Sequence, residues 1–128
     1  MRILVTGSRD WRGRWAVDDA ICDVLTEHPL ERGDVTVVHG GCATGADLHA
    51  TYAVRRINAW FTAQPVKLEI HEAEWDRLGK AAGPIRNQTM VDLGADICLT
   101  FIRNGSRGAT HCATAAERAG IPVRQWTA

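Results

Sequence analysis

The chain has 128 residues, a length that suits one domain with a buried core, and its 45% apolar and 23% charged residues are ordinary for a globular protein. Its 15 basic and 15 acidic side chains cancel and are scattered along the sequence, which argues against nucleic acid as a partner. Because no apolar run approaches membrane-spanning length and no secretory signal follows Met1, we expect a cytoplasmic protein with no membrane partner, built as a single domain over residues 1–128.

Short runs of apolar and β-branched residues predict strands along the chain. Four of them lie at 3–5, 35–38, 66–70 and 97–102. A fifth short strand is predicted near Val123, because Gly120 and Pro122 mark the end of a preceding helix. Continuous apolar runs are typical of parallel strands, so we expect most of these strands to be buried on both faces.

Between the strands, apolar residues recur at helical spacing and predict helices that pack on a sheet. The sets are Val17, Ile21, Val24 and Leu25, then Leu48, Tyr52, Ala53, Ile57 and Trp60, and finally Ala113, Ala116 and Ala119. The alternation predicts an α/β fold, a single Rossmann-like, doubly wound, mostly parallel sheet of about five strands with helices on both faces. We expect simple connections at 29–34 and 63–65, and an irregular loop at 71–83 that can fold over a site.

Glycine-rich segments follow the predicted strands at 6–9, 39–47 and 104–111, with a further one at 83–87. Glycine lets backbone N–H groups approach a ligand closely, and the start of a helix beyond such a loop offers unpaired donors to an anion. In open parallel sheets, ligands bind beyond the carboxyl ends of the strands. The sequence therefore predicts a site for a phosphate-bearing small molecule.

The segment 40–47 has the context of an anion-binding loop but matches neither familiar pattern. It ends in Gly45-Ala46-Asp47, so the lysine of a Walker loop is absent, which argues against P-loop ATP hydrolysis. Its G-G-x-x-x-G spacing also differs from the dinucleotide fingerprint. The alternative is purely structural, with Thr44 or Asp47 only capping a helix that packs under a strand.

The segment 105–108 repeats the arrangement after a strand, and the Thr110 hydroxyl can cap the following helix or contact a phosphate oxygen. Two such loops on neighbouring strands would converge on one ligand. His111 suits either a ligand contact or a structural hydrogen bond. Arg86 is the favoured cation, because a guanidinium binds phosphate or carboxylate through two parallel hydrogen bonds, and its alternative is a surface salt bridge.

The first strand is followed by Ser8 and Arg9, which would add a hydroxyl and a second guanidinium to the site. Trp11 or Trp75 could stack on a base, although each also suits the core. The histidines form no clustered ligand set, so we predict no metal site. The four cysteines lack Cys-x-x-Cys spacing and are expected to be free thiols, at Cys22, Cys42, Cys98 and Cys112.

The order of these motifs, with Gly83-Pro84-Ile85-Arg86-Asn87 before Met90 and with Gly45-Ala46-Asp47, resembles the YspA/YpsA-related branch of the SLOG superfamily. The branch is distantly related to LOG-type phosphoribohydrolases and to Smf/DprA proteins, and its small members occur in phage and bacterial genomes. The resemblance implies a Rossmann-like domain that binds a nucleotide or a nucleotide-derived ligand, of the NAD or ADP-ribose kind, with no required cofactor. It also implies a possible homodimer, for which Trp60 and Trp126 are candidate interface residues.

LOG-type enzymes release a base from a nucleoside monophosphate, and their motifs test whether this chain is an enzyme. Their Arg-Lys motif falls on Arg86-Asn87, and their Gly-x-Gly-Thr-x-Glu motif falls near 106–111, where Ala109 replaces the threonine and His111 the glutamate. N-glycosidic cleavage needs a carboxylate beside an oxocarbenium-like state. If the chain is an enzyme, Asp47 and His111 are the candidate catalytic residues, although Asp47 is equally suited to bonding ribose hydroxyls.

Two hypotheses follow. The first is a cytosolic sensor or sequestering module for a nucleotide-derived ligand, and the alternative is a nucleotide N-glycosidic hydrolase that uses the same pocket. The predicted ligand-binding residues are Gly7, Ser8, Arg9, Gly40, Gly41, Thr44, Gly45, Asp47, Arg86, Asn87, Gly105, Ser106, Gly108 and Thr110.

Overall fold

The computed structural model describes residues 1–28, 34–61 and 63–128, so most of the connection predicted at 29–34 lies outside the described residues. Strands and helices alternate along the chain. The elements are β1 (Arg2–Gly7), α1 (Arg14–Glu27), β2 (Thr36–His39), α2 (Gly45–Trp60), β3 (Lys67–Ile70), α3 (Trp75–Leu78), a 3₁₀ turn (Gly79–Ala81), α4 (Ala82–Asp92), β4 (Ile97–Ile102), α5 (Arg107–Arg118) and β5 (Val123–Thr127).

All five strands belong to one parallel sheet with the order β3-β2-β1-β4-β5. The central strand β1 pairs with both neighbours, so that Ile3 lies opposite Val37 on one side and Ile97 on the other. The chain winds outward from β1 to β3 and then returns to β4, which makes the boundary between β1 and β4 the point where the winding reverses. Loops leave this point toward opposite faces and open a crevice between them. The Rossmann-like α/β prediction is confirmed.

Side chains that alternate along each strand supply two separate cores. On one face, Ile3 and Val5 of β1 pack with α1 and α2, and on the other Leu4 packs with α4 and α5. Each fully buried aliphatic side chain of this kind contributes about 1.5–3 kcal/mol relative to an exposed one. Helices therefore cover both faces of the sheet, as predicted, and hold the carboxyl ends of the strands in fixed positions.

Two details of the predicted burial differ from the structure. In α2, Tyr52 and Trp60 are 37% and 76% exposed, because the helix packs on the sheet through small residues around Ala50 and Ala53 instead. The edge strands β3 and β5 are only partly buried, since each has a neighbouring strand on one side only. The four predicted core residues of α1 are buried, whereas Ala119 lies beyond the last turn of α5 and is exposed.

The stretch 71–83, predicted as an irregular loop, is largely helical. It contains α3, the 3₁₀ turn and the start of α4. The indole of Trp75 packs on Gly83, where an added Cβ would lie 3.0 Å from the ring, so the segment folds back on itself. None of the described helices is both long enough and apolar enough to cross a membrane.

Candidate functional site

A cavity of about 380 Å³ lies at the carboxyl end of the sheet, beside the reversal point. Its walls are the end of β1, the loop between β2 and α2, the segment after β3, one face of α4 and the first turn of α5. The charged and amide side chains at its surface are Arg9, Asp47, Glu72, Arg86 and Asn87, and the larger apolar ones are Val5, Trp75 and Met90.

Two glycines let α2 begin directly against β1. A Cβ at Gly7 would collide with the Cβ of Ala46 and lie 2.7 Å from the carbonyl oxygen of Phe101. Gly45 has a φ of +70°, and a Cβ there would collide with the carbonyl oxygen of Ser8. Gly7 lines the cavity, whereas Gly45 does not, so the role of Gly45 in this structure is close packing.

His39, to which the sequence assigned no role, holds the glycine loop from inside. Its imidazole is 2% exposed, its Nδ1 accepts the amide of Gly41 at 2.9 Å, and its Nε2 therefore carries the proton and donates to Oγ1 of Thr51 at 2.7 Å. Burial, with a smaller effect of the Arg86 charge, lowers the pKa of His39 to about 4. A neutral imidazole therefore fixes Gly41 at its φ of +73°.

Asp47 occupies the inside of the same loop. Asp47 is only 7% exposed, and its Oδ2 accepts the amide of Cys42 at 3.1 Å. Burial raises its pKa to about 6, against the opposing effects of the Cys42 amide, Arg86, the Gly40 amide and Arg9. Two of the loop amides expected to be open to a phosphate are thus already bonded, that of Cys42 to Asp47 and that of Gly41 to His39. Thr44 occupies the N-cap position of α2 but makes no side-chain capping bond.

Arg86 projects from α4 across the cavity floor. Its Nη1 donates to the carbonyl of Gly40 at 2.6 Å and to that of His71 at 3.2 Å, and its Nε donates to Oδ1 of Asn87 at 2.8 Å. The guanidinium lies against Gly40 so closely that a Cβ there would be 2.6 Å from its Cζ. Within the described part of the chain Arg86 has no carboxylate partner, and its Nη2 makes no hydrogen bond, which leaves one edge of the cation for a ligand.

The first turn of α5 completes the cavity. Asn87, which is 5% exposed, donates through Nδ2 to the carbonyl of Gly108 at 3.3 Å and ties α4 to this turn. Gly108 and Ala109 line the cavity, and a Cβ at Gly108 would meet nothing within 4 Å. The first amides of a helix have no carbonyl partner inside it. This turn therefore offers open amides to an anion.

Trp75 and Arg9 form the rim of the cavity. The Cζ of Arg9 lies 5.3 Å from the centroid of the Trp75 ring, and the indole is 45% exposed. Trp11 is instead a core residue, 7% exposed, with its ring 5.4 Å from that of Phe101 and its Nε1 donating to the carbonyl of Gly13. Of the two tryptophans considered for base stacking, only Trp75 is placed for it.

The remaining predicted residues do not meet at this cavity. The Ser8 hydroxyl is buried and bonds the backbone of Arg103. The Thr110 hydroxyl donates to the carbonyl of Ser106, which is the N-cap of α5, so it neither caps the helix nor faces the cavity. A separate groove of about 730 Å³ between α4 and α5 is lined by Gly105, Thr110 and His111, so the structure does not bring His111 together with Asp47.

Sequence reasoning missed Glu72 as well as His39. Glu72 lies two residues beyond β3, so its position past a strand end was the available signal. Its Cγ would lie 3.0 Å from a Cβ at Gly41, which places its side chain over the glycine loop. Among the residues that the structure describes, no group of three His, Cys, Asp or Glu side chains could hold a metal ion.

A model of the YspA, cpYpsA-related SLOG family matches residues 1–78, from β1 to the end of α3. The chain belongs to this SLOG family. It is also 42% identical over 122 residues to the Gene 61 protein of Mycobacterium phage D29, covering 95% of this chain and 93% of that protein. No solved structure matches the chain.

The match divides the site of this SLOG protein into two parts. Asp47, Glu72 and Trp75 lie within the matched residues, whereas Arg86 and Gly108 lie beyond them. The cavity therefore combines the loops of the family match with α4 and α5, which supply its cation and its open helix start.

Proposed function

We propose that this SLOG protein binds a nucleotide or a nucleotide-derived small molecule, as a sensor or a sequestering module. The observation that carries the proposal is the combination, in one cavity, of a cation with a free edge, an open helix start, an exposed indole and two carboxylates. The cavity volume of about 380 Å³ lies within the range of small-molecule sites. Family membership agrees with a nucleotide-related role.

Each part of such a ligand has a matching group. A phosphate would lie between Nη2 of Arg86 and the first amides of α5 near Gly108, where the helix dipole also favours an anion. A base would stack on Trp75, displacing or sandwiching Arg9. Ribose hydroxyls would donate to the carboxylate of Asp47, as an acid does in many nucleotide sites.

The test is thermal denaturation with nucleoside monophosphates, NAD and ADP-ribose. A ligand at a hundred times its Kd stabilises the folded protein by about 2.7 kcal/mol, so a clear increase of Tm is expected. Arg86→Ala should remove most of that increase, because a charge-assisted hydrogen bond is worth about 1.5–3 kcal/mol.

The matched control is Arg77→Ala, since Arg77 is exposed and pairs with Glu74 outside the cavity. This variant should keep the ligand-induced increase. If the ligand raised the Tm of both arginine variants equally, Arg86 would not be part of the binding site.

A nucleotide N-glycosidic hydrolase is the second candidate, and the environment of Asp47 favours it. A buried carboxyl whose pKa is raised to about 6 can hold or release a proton near neutral pH, which suits a general acid or base. Glu72 in the same cavity would supply a second carboxylate. Incubation with the same ligands distinguishes the candidates: release of base or nicotinamide that Asp47→Ala abolishes supports the hydrolase, and recovery of unchanged ligand supports binding alone.

We also propose that the protein is a cytoplasmic homodimer. The four cysteines are free thiols, which suits a reducing compartment. Trp60 on α2 is 76% exposed, and large exposed aromatic side chains commonly mark interfaces. Trp126, the other candidate interface residue, stacks on Phe101 with ring centroids 4.9 Å apart and belongs to the packing of β5.

A further inference from the structure

The groove between α4 and α5 is a second concave surface, separate from the cavity at the carboxyl end of the sheet. Its volume is about 730 Å³, and it shares no lining residue with that cavity. Gln88 forms the wall on α4, whereas α5 and the residues on either side of it supply the rest of the lining. A partner in this groove would therefore be recognised by α5 and not by the glycine loops.

The polar side chains of this groove lie along one face of α5. Arg107, His111, Thr114 and Arg118 are spaced i, i+4, i+7 and i+11. At about 100° per residue, this spacing places them within about 60° of one another around the helix axis. A rise of about 1.5 Å per residue separates the two arginines by roughly 16 Å along the axis. The groove therefore has an extended row of polar groups with a cation at each end.

The two arginines have no partner within the part of the chain that the structure describes. The side chains of Arg107, His111 and Arg118 are exposed and make no hydrogen bond or ion pair there. The acids of these two helices, Asp92 and Glu117, do not line the groove, and Asp92 already accepts a hydrogen bond from a glutamine of α4. The groove is therefore positively charged, although the formal net charge of the whole chain is zero.

A row of this length and composition suits a protein segment with several carboxylates. A single small anion would meet only one end of the row, because three helical turns separate the arginines. Proteins that bind single-stranded nucleic acid combine basic residues with aromatic rings on which bases stack, and none of the described residues that line this groove is Trp, Tyr or Phe. Carboxylates need no such ring, and each accepts two parallel hydrogen bonds from a guanidinium.

We propose that the groove between α4 and α5 is a docking site for an acidic helix of a protein partner, whose carboxylates pair with Arg107 and Arg118. A helix has the same rise per residue as α5, so acids at the same spacing lie alongside the row. The short side chains of Ala115 and Ala119 leave room for this helix in the groove. The interaction goes beyond the proposed nucleotide binding, since it uses no residue of the cavity.

The experiment measures fluorescence anisotropy with a labelled, alanine-based helical peptide of about 20 residues. This peptide carries glutamates at positions i, i+4, i+7 and i+11, and a second peptide carries glutamines at the same positions. Oligothymidylate is the third probe. At about 0.05 M salt, where charges on the surface are weakly screened, the protein should bind the glutamate peptide at least about tenfold more tightly than the glutamine peptide.

Two double variants locate the binding surface. Arg107→Gln with Arg118→Gln removes both charges from an exposed helix face and should weaken binding of the glutamate peptide by at least about tenfold. The matched control is Arg12→Gln with Arg55→Gln, which replaces exposed arginines before α1 and on α2. It changes the net charge equally and should bind the peptide as the wild type does. If the groove variant does not fold, Arg118→Gln alone takes its place.

Binding of the glutamate peptide that the groove variant loses and the control keeps would support the proposal. Three results would overturn it: no binding of the glutamate peptide, equal binding of both peptides, or an equal loss in the two double variants. Tighter binding of oligothymidylate that depends on the groove arginines would assign the groove to nucleic acid instead. A change of oligomeric state in the groove variant alone, measured by light scattering, would assign it to a second copy of this chain and also overturn the proposal.

Discussion

Two buried side chains hold the loop between β2 and α2, and burial shifts their pKa values in opposite directions. The pKa of Asp47 is raised from 3.8 to about 6, and that of His39 is lowered from 6.5 to about 4. Asp47 therefore adds stability that is present below about pH 4 and is lost as the pH rises through 6. His39 adds stability that is present above pH 6.5 and is lost as the pH falls through 4. Between about pH 4 and 6.5, the stability lost at Asp47 as the pH rises is therefore offset by the stability gained at His39.

In Asp47→Asn, the pH dependence that His39 gives to the free energy of unfolding should no longer be offset by Asp47. When the pH falls from 7 to 4, the free energy of unfolding of this variant should decrease relative to that of the wild type by roughly 2 kcal/mol, most of the equivalent of the Asp47 shift. Urea denaturation at several pH values measures the difference. Parallel pH profiles for the two proteins would contradict the assigned environment of Asp47.

The candidate site was only partly predictable at this scale. Arg86, Asp47 and several glycines could be selected, because residue type and position after a strand indicate anion binding. The sequence could not indicate that the amides of Gly41 and Cys42 are already bonded, since this depends on how the packing of α2 orients Asp47 and on the rotation of the His39 ring. The ligand-binding roles of these residues remain predictions.

At the scale of elements, two glycines at the starts of helices should respond to substitution in different ways. Gly45 has a left-handed conformation and faces the carbonyl of Ser8, so Gly45→Ala should lower the free energy of unfolding by at least about 2 kcal/mol. Gly108 faces open space, so Gly108→Ala should leave the free energy of unfolding unchanged or raise it by about 0.5–1 kcal/mol.

The two variants separate packing from binding. Because a methyl group at Gly108 would stand where a phosphate approaches α5, Gly108→Ala should nevertheless reduce the increase of Tm caused by a nucleoside monophosphate. Urea denaturation and thermal shift measure the two effects independently. A stable Gly108→Ala protein with an unaltered ligand response would place the phosphate elsewhere.

Most elements could be predicted because their apolar residues recur at a clear helical or strand spacing. In α1, for example, the predicted core residues are all buried. The segment 71–83 was wrongly predicted as a loop, because α3 has only four residues and is held by the packing of Trp75 on Gly83 rather than by a pattern. Tyr52 and Trp60 of α2 were wrongly predicted to be buried. The helix packs on the sheet through its alanines, and these two larger side chains lie beside the buried face.

At the scale of the whole molecule, the proposed homodimer gives a direct prediction. Trp60→Ser should convert the wild-type dimer into a monomer in size-exclusion chromatography with light scattering, because it removes the most exposed large apolar side chain among the residues that the structure describes. Leu93→Ser, at the end of α4 on the other face of the sheet, is the control and should remain dimeric. A monomeric wild type at high concentration would contradict the proposal.

The fold class could be predicted because strands and helices alternate from one end of the chain to the other. The strand order could not, since nothing in the sequence states that β4 returns to pair with β1. This order decides which loops share the cavity and which face the groove of His111.

The pairing of β1 with β4 has a consequence for synthesis. Every neighbouring pair of strands in this sheet is parallel, and the central β1–β4 pair joins residues far apart in sequence, such as Ile3 and Ile97. This pair cannot form until β4 has been synthesised. A chain emerging from the ribosome therefore has the acidic loop of Asp47 long before it has Arg86 or the first turn of α5. The cavity is a late product of folding, and a ligand that needs all its walls would stabilise the finished molecule without assisting its early steps.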